Sequence, residues 1–134
     1  MKDHSYGVCV YKKNKHNIQI LLLQPVGSNE WGFIKGKIEE NEHPKECAVR
    51  ECFEETGIIL SPLDLDLLFF RKTKRKNIGI YMIPKEYTDM SNIKLCPKEA
   101  KDLKWFDLYG DIDIHNNQKL IIEDIKNYCK KGIK

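Results

Sequence analysis

The sequence predicts an α/β fold, a mixed β-sheet covered by helices, in a single domain over residues 1–134. Three observations predict it. Most apolar residues fall in short runs of strand type bounded by turn residues. Two segments, one central and one terminal, carry the helical period instead. A chain of 134 residues with 41% hydrophobic content can bury one core and has little room for a second.

The elements follow in order. Residues 6–11, Tyr-Gly-Val-Cys-Val-Tyr, and 18–23, Ile-Gln-Ile-Leu-Leu-Leu, read as the strands of a hairpin, the second closed by Pro25 and Gly27. Residues 31–34 form a third short strand, and 36–43, polar and without period, a loop. Residues 44–56 read as a helix, with Pro44 at its first position, Gly57 just past its end and His43 placed to cap it. On its helical wheel Ala48, Val49, Cys52, Phe53 and Thr56 share the arc expected to face the core, and Glu51, Glu54 and Glu55 fall opposite. Residues 65–71 and 78–83 are strands joined by the polar stretch 72–77, residues 84–97 are irregular, and 103–106 form a short strand. Asn116 or Asn117 caps a last helix in which Ile121, Ile125 and Tyr128 line one face.

Composition narrows the class. No apolar run approaches the ~20 residues of a membrane span, and no apolar stretch follows the N-terminus as in a signal peptide. Five scattered cysteines without a Cys-x-x-Cys pair read as reduced thiols, and a cytoplasmic location is expected. The net charge of +3, from 23 basic and 20 acidic residues, is too small to demand a nucleic-acid partner. Its distribution is more informative than its sum.

Glu51 lies three and four residues before Glu54 and Glu55, on one helical face. Like charges at such spacings destabilise a helix by about 0.2–0.5 kcal/mol per pair. Arg50 relieves part of this; a divalent cation would relieve it directly, and clustered hard oxygens suit magnesium or manganese. By helical spacing alone, however, the cluster reads first as a solvated acidic face.

The surrounding residues change that reading. Gly36 is followed after five residues by Glu42, and after seven more by Arg50-Glu51-Cys52-Phe53-Glu54-Glu55-Thr56-Gly57-Ile58. This resembles the Nudix box, Gly-x5-Glu-x7-Arg-Glu-U-x-Glu-Glu-x-Gly-U with U bulky and aliphatic. Every charged and glycine position of its 23 residues is filled. Cys52 at the first U is the one soft departure, and a buried cysteine packs as a small hydrophobe. The approach Trp31-Gly32-Phe33-Ile34-Lys35-Gly36-Lys37 is also similar to the family's, with Ile34 where proline is common.

The resemblance implies an α/β/α sandwich around a mixed sheet, with the box as loop–helix–loop. It implies metal-dependent hydrolysis of a nucleoside diphosphate linked to another moiety, with Mg2+ or Mn2+. By similarity Glu51, Glu54 and Glu55 are the catalytic metal ligands, with the Gly36 carbonyl beside them. Glu99, six residues before Trp105, is the candidate for a further glutamate, ahead of Asp102. Arg50 and Glu42 tie the loop to the helix and orient the glutamates. The family pattern leaves the proton acceptor open between Glu51 and a downstream glutamate.

Five positive charges stand in the six residues 71–76, between two strands. They read as a solvated hairpin tip or as a clamp for polyphosphate or an RNA 5′ end. Arg71, at the strand end, and Lys35 and Lys37, flanking Gly36, are the candidate phosphate contacts. Phe33 and Tyr81 are the candidate base-stacking residues, with Trp31 and Phe70 as alternatives. The expected substrate is a small nucleotide, a (di)nucleoside polyphosphate first. The approach to the box most resembles the diadenosine tetraphosphate and RNA pyrophosphohydrolase-like group. The alternatives are a MutT-type nucleoside triphosphate pyrophosphohydrolase and a non-catalytic nucleotide- or RNA-binding Nudix module. No membrane partner is expected, and monomer and homodimer both stay open.

Overall fold

Alternation of apolar and polar residues builds the sheet first. In the computed structural model, which describes residues 2–131, β1 (Asp3–Lys13) turns at Asn14–Asn17 into β2 (Ile18–Pro25), antiparallel, with Tyr11 opposite Ile20. The predicted hairpin is therefore present. β3 (Ile34–Lys37) pairs antiparallel with the first half of β1. This is a correction to the expected strand at 31–34: Trp31 and Gly32 make only single bridges, to Ile114 and Leu23. Gly36 consequently lies on a strand, and the loop begins after Lys37.

The central helix α1 (Pro44–Thr56) starts at a capping box. His43 Nδ1 accepts from the Lys45 amide at 3.2 Å, and the Glu46 carboxylate accepts from the His43 amide at 2.9 Å. It ends at Gly57, whose φ of 77° is the left-handed conformation that glycine adopts without a Cβ penalty. The buried arc is Cys47, Ala48, Cys52, Glu55 and Thr56; Phe53, expected inside, is 55% exposed. The helix is rolled toward Glu55, so the opposite edge of the apolar arc turns out to solvent.

After α1 the chain runs through β4 (Ile59–Leu60), a 3-10 turn at Pro62–Asp64, β5 (Leu67–Lys72) and β6 (Lys76–Pro84). β7 (Thr88–Asp89) pairs with β4, a short ladder within the stretch expected to be irregular. β8 (Ala100–Asp107) pairs antiparallel with β2. The main sheet has the order β5-β6-β1-β2-β8, with β3 on β1, and the β1–β6 pair is parallel, so the sheet is mixed.

The terminal helix α2 (Lys119–Lys130) follows a 3-10 turn at Asn116–Gln118. Neither Asn116 nor Asn117 caps the helix: His115 caps the 3-10 turn, and Gln118, at the N-cap of α2, makes no side-chain cap bond. Ile121, Ile122 and Ile125 are buried; Tyr128 stays at the rim, its ring 5.8 Å from Phe69. Alternate residues of each strand feed two cores. Val8, Val10, Leu21 and Leu23 pack with α1 residues Ala48 and Cys52 on one face, and Cys9, Ile20, Leu22 and Ile80 pack with α2 on the other. The result is the predicted α/β/α sandwich. No helix among the described residues is long and apolar enough to cross a membrane.

Candidate functional site

The site is assembled where β3 meets α1. β3 can approach β1 closely because Gly7 faces Lys35; a Cβ there would fall inside the Ile34 carbonyl and the Lys35 Cβ. One residue further, Gly36 lies against the Glu51 carboxylate of α1, and a Cβ on Gly36 would overlap that carboxylate. The backbone of β3 and the acidic face of the helix are thus in contact only because two glycines leave room.

The segment before β8 closes the third side. The Cys96 amide donates to the Glu55 carbonyl at 2.9 Å, the Lys94 amide to the Thr56 carbonyl at 2.8 Å, and the Val26 amide to the Glu99 carbonyl at 3.1 Å. These bonds hold Glu99 at the end of α1. A cavity of about 480 Å³ results, lined by Gly36, Glu51, Glu55 and Glu99 with Lys35, Lys37 and Lys98.

Arg50 organises the acidic residues from outside the cavity. Its guanidinium grips Glu42 through two nitrogens at 2.7 and 2.9 Å, and donates to Glu51 at 2.8 Å and Glu54 at 2.6 Å. A further bond reaches the Lys37 carbonyl at 3.1 Å. The loop at 38–42, the end of β3 and the helix are therefore tied by one planar cation. Glu42 is held below the usual carboxylate range by its hydrogen bond to Arg50. Arg50→Lys removes the fork; turnover is expected to fall roughly 10–100-fold, the range for partners that orient metal ligands, checked by steady-state assay beside a melting curve.

Glu55 is buried, at 7% exposure. Burial comes first, then the hydrogen bond and charge of Glu51 and the charge of Glu99, in raising it well above the usual carboxylate range. Lys35 is pushed down to about 8, by burial and by the adjacent Lys76. Opposite groups in one cavity are both shifted against their charged forms, because burial and a like-charged neighbour outweigh the attraction between them.

The structure brings together most of the residues expected from sequence. Gly36, Glu51, Glu55, Glu99, Lys35 and Lys37 line the cavity, as does Phe33, which is 3% exposed and shares its core with α2. Glu54 does not line it: its carboxylate is on the helix exterior with Arg50. Arg71 does not reach it, being held by both Asp124 oxygens, at 2.8 and 2.7 Å, against α2. Tyr81 is 5% exposed in the α1-side core, so its ring has no open face for a base. Asp102, on β8, bonds the Leu103 amide and lies outside the cavity lining. Of the alternative aromatics, Trp31 packs edge-on against Phe106 at 4.9 Å and Phe70 stacks on Tyr6 at 6.5 Å.

Sequence reasoning missed Lys98 and Gln118. Lys98 adjoins Glu99 and could have been found from that. Gln118 could not: its side chain accepts from the Phe33 amide at 2.7 Å across 85 positions, and sits where a Cβ on Gly32 would be.

The chain is 37% identical over 82 residues, 60% of its length, to mRNA decapping complex subunit 2 of Schizosaccharomyces pombe, and spans 11% of that protein. It is 32% identical over 108 residues, 81% of its length, to an RNA pyrophosphohydrolase of Psychrobacter cryohalolentis, spanning 57% of it. The fold is similar to that of a C. elegans Ap4A hydrolase, solved as a binary complex: TM-score 0.69 and 19% identity, covering 96% of this chain and 98% of that one. A family model described as NUDIX domain matches residues 1–118, which include β1, the whole box and β8, and the chain therefore belongs to the NUDIX domain family.

Proposed function

We propose that the chain hydrolyses a phosphoanhydride bond in a nucleoside polyphosphate, with the 5′ end of RNA as the favoured substrate. The observation that carries this reading is one cavity lined by Glu51, Glu55 and Glu99 with Gly36 and three lysines. The names of the relatives, a decapping subunit and an RNA pyrophosphohydrolase, support RNA as the moiety beyond the phosphates.

Nudix hydrolases generally use divalent metals, and the residues present fit one, Mg2+ or Mn2+. The donors are hard oxygens: the carboxylates of Glu51, Glu55 and Glu99, which line the cavity, with the backbone of Gly36 beside them, whose carbonyl accepts from the Cys47 thiol at 3.5 Å. The absence of a side chain at Gly36 keeps its backbone and the Glu51 carboxylate side by side. Among the described residues no three His, Cys, Asp or Glu groups form a closed ligand set as they stand. Arg50 holds the Glu54 carboxylate on the helix exterior while also donating to Glu51, and Glu54 would join by leaving it. A bound divalent ion would supply positive charge to the oxygens on which charge grows as the anhydride bond breaks. The chain's own contributions are separate. Lys35, Lys37 and Lys98, in the same lining as the carboxylates, neutralise phosphates, and Arg50 fixes the helix against β3.

A second reading, a dinucleoside polyphosphate as substrate, is favoured by the three-lysine wall, which suits several consecutive phosphates. A panel separates the two: 5′-triphosphorylated RNA, capped RNA, a dinucleoside tetraphosphate and a nucleoside triphosphate, each with Mg2+ and with Mn2+. Release of pyrophosphate or phosphate from RNA, faster than from the free nucleotides, is the expected result. Turnover of none of them would sink the hydrolytic reading.

A further inference from the structure

The basic hairpin between β5 and β6 is not absorbed by the cavity chemistry. Its turn is tight: the Thr73 amide and hydroxyl both donate to the Lys76 carbonyl at 2.7 Å, and the Lys76 amide donates to the Thr73 hydroxyl at 3.0 Å. Thr73 thus closes the turn from within, and Lys74 and Arg75 are left at an exposed tip. The tip is anchored to β1 by the Asp3 amide, which donates to the Arg75 carbonyl at 3.2 Å.

This hairpin is next to the cavity. In the ladders Gly7 faces Lys35 and Ser5 faces Lys37 from β3, and Asp3 faces Lys76 from β6. Positions 3, 5 and 7 of one strand point to the same side of the sheet, so Lys35, Lys37 and Lys76 share that side. Lys35 and Lys76 are close enough for their charges to repel, and Lys35 also lines the cavity. Among the described residues Lys35, Lys74, Arg75 and Lys76 form no salt bridge, and Asp3 is taken by Lys37 at 3.1 Å. Lys35 and Lys76 repel each other, a repulsion that Glu51 and Glu55 beside Lys35 and Asp3 beside Lys76 offset only in part and that an anion between the lysines would remove.

We propose that Lys35, Lys37 and Lys76, continued by Lys74 and Arg75, form a track for the sugar–phosphate backbone of a single-stranded nucleic acid leading out of the cavity over the hairpin tip. It rests on the reading of the cavity as the place of a nucleic-acid 5′ end. A free nucleotide needs no cations beyond the cavity wall, whereas a strand leaving the cavity carries a phosphate at every residue. The order of the cations, from Lys35 in the wall through Lys76 at the strand start to a solvated tip, matches that need. Three neutralised phosphates contribute about −2 to the slope of log affinity against log salt for a single strand.

The test uses the full chain, without divalent metal, and a 12-nucleotide RNA with a 5′-hydroxyl and a 3′ fluorophore, read by anisotropy. Lys74→Ser, Arg75→Ser and Lys76→Ser combined should weaken binding at least tenfold at 0.1 M salt and flatten the salt slope by about 2. Melting should confirm that the variant is folded. Lys15→Ser with Lys85→Ser, two exposed lysines elsewhere, should leave affinity within twofold. The proposal is overturned if the wild-type chain does not bind the oligomer, if the triple variant binds it equally well, or if the control pair loses as much. It is also overturned if the triple variant loses a dinucleoside tetraphosphate as strongly as the RNA, since the lysines would then serve a free polyphosphate. Because the probe has no anhydride and no turnover is read, failure of the hydrolytic reading leaves this result independent.

Discussion

Gly36→Ala is expected to lower turnover by about 100-fold, the upper range for disturbing the shell of a metal ligand, with a change in thermal midpoint of only a few degrees. The added Cβ meets the end of a side chain, the Glu51 carboxylate, rather than backbone. Glu51 can swing away at little cost in packing. Once displaced, it would no longer stand against Gly36 to hold a cation there. Steady-state assay beside a melting curve checks this: a large activity loss with a preserved fold is the expected pair. An unaffected turnover would mean that the contact between Gly36 and Glu51 does not matter to the reaction.

Gly7→Ala is expected to have the opposite signature. Here the Cβ would fall on backbone, the carbonyl of Ile34, and on the Lys35 Cβ. Neither can move without separating β3 from β1, where four consecutive residue pairs hold the ladder. Overpacking of this kind costs about 3 kcal/mol or more when the neighbour is backbone. For a domain of this size the midpoint should fall by roughly 10 °C. Chemical or thermal denaturation measures it, and a loss under about 0.5 kcal/mol, the range of a neutral surface change, would show that β3 is not packed as described.

The two glycines also mark what could be read from sequence. Gly36 was legible because the box fixes it by spacing relative to Glu51. Gly7 was not, since nothing in a strand reading distinguishes it from any small residue; its role comes from β3, 28 positions later. The layers were legible because two segments carry helical period among strands. The roll of α1 was not, because Glu55 is buried by a cavity and not by hydrophobicity, and this turns Phe53 outward. Glu99 was found from its place before Trp105, and the structure puts it in the cavity beside Glu55. Arg71 was misplaced because its partner, Asp124, lies on a helix 53 residues away. Tyr81 failed as a stacking candidate for a similar reason: it packs in the core shared with α1, whose residues lie about thirty positions earlier.

The central claim is that the carboxylates in this cavity perform phosphoanhydride hydrolysis, and Glu55→Gln tests it most directly. The amide keeps the shape of Glu55 and removes only its charge. Burial, Glu51 and Glu99 all raise Glu55 in the metal-free protein, so its ionisation costs stability as pH rises past the ordinary carboxylate range. The neutral variant should therefore melt at the same temperature or higher at neutral pH. Turnover of 5′-triphosphorylated RNA with Mg2+ is predicted to fall by at least about 100-fold in this folded variant. Turnover within twofold of the wild-type chain would contradict the account.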